Sequence, residues 1–95
     1  MHNTILAIDA GTTSVRAIIF SASGTILGTG AMPCAMSYPQ PGYVEQNGLD
    51  IWQGTKAAIE QAFKQTGLGP SQLDGIGITG QRTSAMIWER ATGLP

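Results

Sequence analysis

The sequence predicts an α/β arrangement: a three-strand antiparallel meander, then a crossover helix and a strand parallel to the first. Three observations carry this. Three short runs rich in β-branched and apolar residues are separated by turns of small polar residues. One stripe of apolar residues at helical spacing follows a proline-rich loop. A further apolar run comes after the helix, where a right-handed crossover would return the chain beside the first strand.

Thr4 to Ile8 is an apolar run ending at Asp9 and Gly11, and it reads as a strand buried on both faces. Ala10 to Ser14 are small or hydroxylated and mark a turn. Val15 to Phe20 reads as the second strand, Ser21 to Gly24 as a turn, and Thr25 to Met32 as the third strand. Residues 33–47 contain Pro33, Pro39 and Pro41 and no sustained period. This loop is long for so small a domain and is expected to lie across a surface, anchored by Tyr38 and Tyr43.

Leu49, Trp52, Ala58, Ile59, Ala62 and Phe63 fall on one helical stripe. Asn47 can cap the amino end, and Asp50 sits in the first turn, where the helix dipole favours negative charge. Gly67 follows the last turn, where a left-handed residue is commonly needed. Leu73 to Thr79 reads as the fourth strand and Ser84 to Trp88 as a fifth. Trp52 and Trp88 are expected in the core. Ala91-Thr92-Gly93 makes a turn just before Pro95, so the C-terminus is expected to be a cut.

Hydrophobic residues make up 42% of the 95-residue chain and charged residues 12%. That excludes a disordered segment, and it is poor in charge beside the roughly one quarter usual for soluble domains. An apolar surface that needs a cover is therefore expected, as is self-association of the isolated chain. Arg16, Lys56, Lys64, Arg82 and Arg90 are scattered, which disfavours nucleic acid and a polybasic membrane contact. Cys34 is the single cysteine, so no internal disulfide forms and a reducing, cytoplasmic setting fits. The N-terminus has no basic leader and its apolar run is broken by Asp9, so no signal peptide is expected.

The densest chemistry lies at Asp9-Ala10-Gly11-Thr12-Thr13-Ser14. Glycine permits a tight turn and a close ligand approach. Successive backbone N–H groups in such a turn can form an anion-binding nest, with Thr12, Thr13 and Ser14 adding hydroxyls. Asp9 supplies a carboxylate of the kind that contacts phosphate-bound Mg2+. Read alone, the same residues also suit a plain hairpin turn. No G-x-x-x-x-G-K-[ST] loop occurs, and no G-x-G-x-x-G follows a strand as a dinucleotide-binding turn would.

Ala7-Ile8-Asp9-Ala10-Gly11-Thr12-Thr13-Ser14-Val15-Arg16-Ala17-Ile18-Ile19-Phe20 resembles the opening of the FGGY carbohydrate kinases, glycerol kinases above all. The likeness continues through Tyr38-Pro39-Gln40-Pro41-Gly42-Tyr43-Val44-Glu45 and Ile51-Trp52. It resumes at Gly77-Ile78-Thr79-Gly80-Gln81-Arg82 and from Ile87-Trp88-Glu89 to Pro95, so it covers essentially the whole chain. The resemblance implies the start of an actin-like, ribonuclease-H-like ATPase domain, with residues 1–95 a partial N-terminal kinase domain. It implies ATP and Mg2+ as cofactors and a sugar or polyol as acceptor. By residue, it implies Asp9 near the metal, Gly11, Thr12 and Thr13 facing the γ-phosphate, and Arg16 near the transferred group. Gln81 and Arg82, with Thr83 after them, match the segment that contacts acceptor hydroxyls.

The family's general base and adenosine pocket lie downstream of Pro95, so the 95 residues alone are expected to be inactive. The intact enzyme is expected to be a cytoplasmic homo-oligomer. Three positions depart from glycerol kinases: Thr83 replaces an acidic residue, Gly80 an asparagine and Ala10 a glutamine. Thr83 removes one acceptor for adjacent hydroxyls and leaves the acceptor's identity open. The turn would equally suit an actin-like nucleotide-binding module without transferase activity, which Gln81-Arg82 and the Pro39–Glu45 block do not favour.

Overall fold

The computed structural model describes residues 3–81 and 84–95. Four strands form one sheet: β1 (Thr4–Ala10), β2 (Ser14–Ser21), β3 (Ile26–Pro33) and β4 (Gly75–Gly80). Their spatial order is β3-β2-β1-β4. β1 runs antiparallel to β2, and β2 to β3, while β4 lies parallel to β1. The connection to β4 passes through helix α1 (Gly48–Lys64), which makes the crossover the sequence predicts.

Alternation decides which side chains are buried. Val15, Ala17 and Ile19 of β2 point to one face and are fully buried, beside Leu6 of β1. Register sets Leu6 opposite Ile19 and Ile8 opposite Ala17, so one apolar layer runs across both strands. Ala58 and Ala62 of α1 close it from above, and each large aliphatic group buried there contributes about 1.5–3 kcal/mol. The helix begins where the Asn47 side chain accepts the N–H of Leu49 at 2.8 Å, with Asp50 in its first turn and Lys64 in its last. Gly67 follows with φ 70°.

The helix lies very close to β3. A Cβ at Gly28 would collide with the Ala62 carbonyl, and one at Gly30 with the Ala58 carbonyl. Small residues on both sides let the two backbones approach. The Gln61 and Gln65 side chains then reach over the outer edge of β3. Gln61 Oε1 accepts the N–H of Ala31 at 3.1 Å, and Gln65 pairs with both the N–H and the carbonyl of Thr29 at 3.0 and 2.9 Å. An exposed strand edge is thereby capped from within the chain.

The β4 side differs. α1 packs over β3 and β2 and reaches β1 only marginally. Register places Ile76 and Ile78 beside Leu6 and Ile8, yet they are 60% and 75% exposed. The opposite sheet face carries Ile5, also exposed. β1 is therefore covered on one face only, and the expected two-sided burial is corrected: within these residues, α1 is the one layer packed on the sheet. The start of β4 is fixed by Thr4, whose hydroxyl donates to the Gln72 carbonyl at 2.6 Å and whose N–H donates to Asp74 at 2.7 Å.

Three further expectations change. Ser84 to Trp88 is not a strand, because no ladder partner lies beside it among the described residues and a lone apolar run has nothing to pair with. Trp88 is 60% exposed and Trp52 is 55% exposed rather than in the core. The helix turns Thr55, Ala58 and Ala62 to the sheet, which leaves Trp52 outside with the Lys56 ammonium 5.4 Å from its ring centre. Tyr38 and Tyr43 are exposed as well. A backbone bridge between Ser37 and Glu45, at 2.8 and 2.9 Å, ties the loop instead.

Candidate phosphate-binding turn

β1 ends at Ala10 and β2 starts at Ser14, so Gly11, Thr12 and Thr13 form the turn between them. Glycine gives room at the first position: a Cβ there would sit 3.1 Å from the Ser14 carbonyl, tighter than an ordinary contact. Antiparallel register puts Asp9 directly opposite Arg16. Both side chains are exposed on the sheet face away from α1. With Ile18, Gly77 and Thr79 they line an open hollow of about 310 Å³. Thr79 is the parallel neighbour of Asp9, so three strands converge on the same corner.

The carbonyls of the turn are all accounted for. Gln81 Nε2 donates to the Gly11 carbonyl at 3.3 Å, and Gln46 Nε2 to the Thr12 carbonyl at 2.8 Å. The backbone N–H of Cys34 donates to the Thr13 carbonyl at 2.9 Å. Gln81 Nε2 also donates to Gln46 Oε1 at 2.8 Å, and Ser84 Oγ donates to Gln81 Oε1 at 2.8 Å. In a planar trans peptide, the carbonyl of one residue and the N–H of the next point in opposite directions. Drawing the Gly11 and Thr12 carbonyls toward the glutamines thus turns the N–H groups of Thr12 and Thr13 the other way. Among the described residues no acceptor takes either of them. Two adjacent unpaired N–H groups, with threonine hydroxyls beside them, make a concave donor surface suited to an anion.

The structure brings Asp9, Gly11, Thr12, Thr13, Ser14, Arg16 and Gln81 to one end of the sheet. The Gln81 amide lies against the turn, held there by Gly11, Gln46 and Ser84. Arg82 and Thr83 lie outside the described residues. Nothing in the sequence singles out Gln46. As one glutamine in a loop it carries no pattern, and only the fold brings it to a turn 34 positions earlier. Among the described residues no three His, Cys, Asp or Glu side chains cluster as a metal site. Mg2+ is commonly held by only one or two carboxylates together with substrate phosphates. No helix among the described residues is long and apolar enough to cross a membrane.

Residues 4–94 match the family model described as the FGGY family of carbohydrate kinases, N-terminal domain. Over 91 residues the chain is 50% identical to a glycerol kinase of Citrifermentans bemidjiense, covering 96% of this chain and 18% of that protein. Over 95 residues it is 44% identical to a glycerol kinase of Leifsonia xyli subsp. xyli, covering 100% and 19%. Among solved structures, xylulose kinase from Rhodospirillum rubrum superposes with a TM-score of 0.75 at 27% identity, covering 83% of this chain and 16% of that one. Gluconate kinase from Lactobacillus acidophilus gives 0.72 at 17% identity over 82% and 15%, a likeness of fold alone. The chain spans less than a fifth of the length of the curated relatives it matches.

Proposed function

The chain belongs to the FGGY family of carbohydrate kinases, and from that premise we propose that the protein containing it transfers the γ-phosphoryl group of ATP to a hydroxyl of a small polyol or sugar. The observation that carries this reading is the turn from Gly11 to Thr13, whose carbonyls are all engaged while two adjacent N–H groups stay open. Phosphoryl transfer is catalysed mainly by positioning and charge stabilisation, and an N–H nest beside a carboxylate supplies parts of both.

In this reading Thr12 and Thr13 donate their N–H groups to terminal phosphate oxygens. Asp9 holds one position on the magnesium, directly or through its water. Arg16, across the register from Asp9, presents a fixed positive charge on the same face. When bound, Mg2+ neutralises charge shared between the phosphates. Gln81 follows the carboxyl end of β4, where open α/β sheets generally bind ligands, and with Arg82 and Thr83 it would serve the acceptor. The general base and the adenosine pocket come from the remainder of the polypeptide, which also covers the bare side of β4. The enzyme works in the cytoplasm as a homo-oligomer.

The glycerol kinase relatives put glycerol first on the acceptor panel. Thr83, where an acidic side chain would accept two neighbouring hydroxyls, puts larger polyols and pentuloses beside it. A coupled ADP-release assay on the full-length protein tests this: ATP-dependent turnover with at least one polyol or sugar is expected. ATP binding without transfer to any acceptor would point instead to a non-catalytic nucleotide module. The 95-residue chain alone is expected to give no turnover, and to sediment as a self-associated species through its exposed isoleucines.

A further inference from the structure

We infer that Gln46 is a positioning residue for the phosphate turn, its amide braced by that of Gln81. The inference rests on the kinase reading for what the turn binds, and on geometry for what holds the turn.

The two glutamines form one continuous chain of hydrogen bonds. Ser84 donates to Gln81, Gln81 donates to Gln46 and to the Gly11 carbonyl, and Gln46 donates to the Thr12 carbonyl. Both side chains are half-buried. Gln81 immediately precedes Arg82 on the acceptor side, and Gln46 immediately precedes the helix cap Asn47. The turn is therefore oriented by two segments remote in sequence. If the Gln46 amide is removed, the Thr12 carbonyl loses its donor and Gln81 loses one of its two acceptors. The Thr12–Thr13 peptide is then free to rotate, and the N–H aimed at the phosphate rotates with it. A glutamine suits this place because both ends of its amide are used: the oxygen accepts from Gln81 while the nitrogen donates to Thr12.

The test uses the full-length protein with Gln46→Met, which keeps length and removes both hydrogen bonds, and Gln46→His, which retains an N–H donor at similar reach. Steady-state kinetics on both substrates are paired with calorimetric titration of Mg·ATP. Gln46→Met is expected to raise KM and Kd for ATP by about 5- to 10-fold, the range of one lost hydrogen bond. Its KM for the acceptor should change by less than about twofold, a split that general loosening of the fold would not give. Gln46→His should recover most of the ATP affinity. A double variant with Gln81→Met should lose less than the product of the two single losses, because the side chains act as one unit. Wild-type ATP affinity in a folded Gln46→Met protein overturns the inference, as does equal weakening for both substrates. If the wild type binds ATP but phosphorylates nothing, the kinase reading fails, and the change in ATP Kd still decides the role of Gln46.

Discussion

Strand β2 has a turn at each end, and the two are built differently. The turn into β3 closes on itself. Ser21 and Thr25 pair through the backbone at 2.9 Å, Gly24 donates to the Ser21 carbonyl at 2.9 Å, and Gly24 takes φ 88°. The hydroxyls of Ser21, Ser23 and Thr25 bond one another at 2.8 and 3.2 Å. The turn from β1 into β2 is equally rich in hydroxyl residues, yet its carbonyls are held by Gln46, Gln81 and Cys34 from other parts of the chain. The first turn is held by bonds within itself. The second is oriented by side chains and backbone from three other segments, which set where its N–H groups point.

That contrast predicts activity losses at one turn and only stability losses at the other. The largest effect is expected from Asp9→Asn in the full-length protein, which removes a charge from the proposed phosphate corner. Its kcat should fall by about 10²–10³-fold with the fold intact by circular dichroism. Gly11→Val comes next: a side chain pressing on the Ser14 carbonyl displaces the N–H donors, and kcat/KM for ATP should drop about 100-fold. At the other turn, Gly24→Ala places a Cβ at positive φ. Chemical denaturation should show about 1–2 kcal/mol lost while both KM values stay at wild type. Ser23→Ala should be smallest, within about 0.5 kcal/mol by the same measurement. A kinetic defect in Gly24→Ala or Ser23→Ala, or normal ATP kinetics in Gly11→Val, would erase the distinction between the turns.

Local signals made most of the fold legible. β1, β2, β3, the Asn47-capped helix and β4 each announce themselves through alternation, helical spacing or a turn residue. The failures share one cause. Ser84 to Trp88 has strand composition, but a strand exists only where a neighbour pairs with it. Trp52 lies on the apolar stripe, but the face turned to the sheet is the one bearing Ala58 and Ala62, whose small size allows contact with Gly28 and Gly30. At the site, Asp9 and the Gly11–Thr13 turn were visible as a contiguous motif. Gln46 was not, because its partner lies 34 positions away and a lone glutamine has no spacing to read.

The contact of α1 with β3 sets the height of the helix above the sheet. Because it rests on Gly28 and Gly30, that height is fixed by backbone atoms rather than by side chains that can yield. Gln46 sits one residue before the cap of that same helix. The glycines and the proposed phosphate turn, at separate places on the sheet, are therefore joined through the helix. A methyl group added at Gly30 is expected to lift the helix and draw Gln46 away from Thr12, detuning the proposed nucleotide site without touching it.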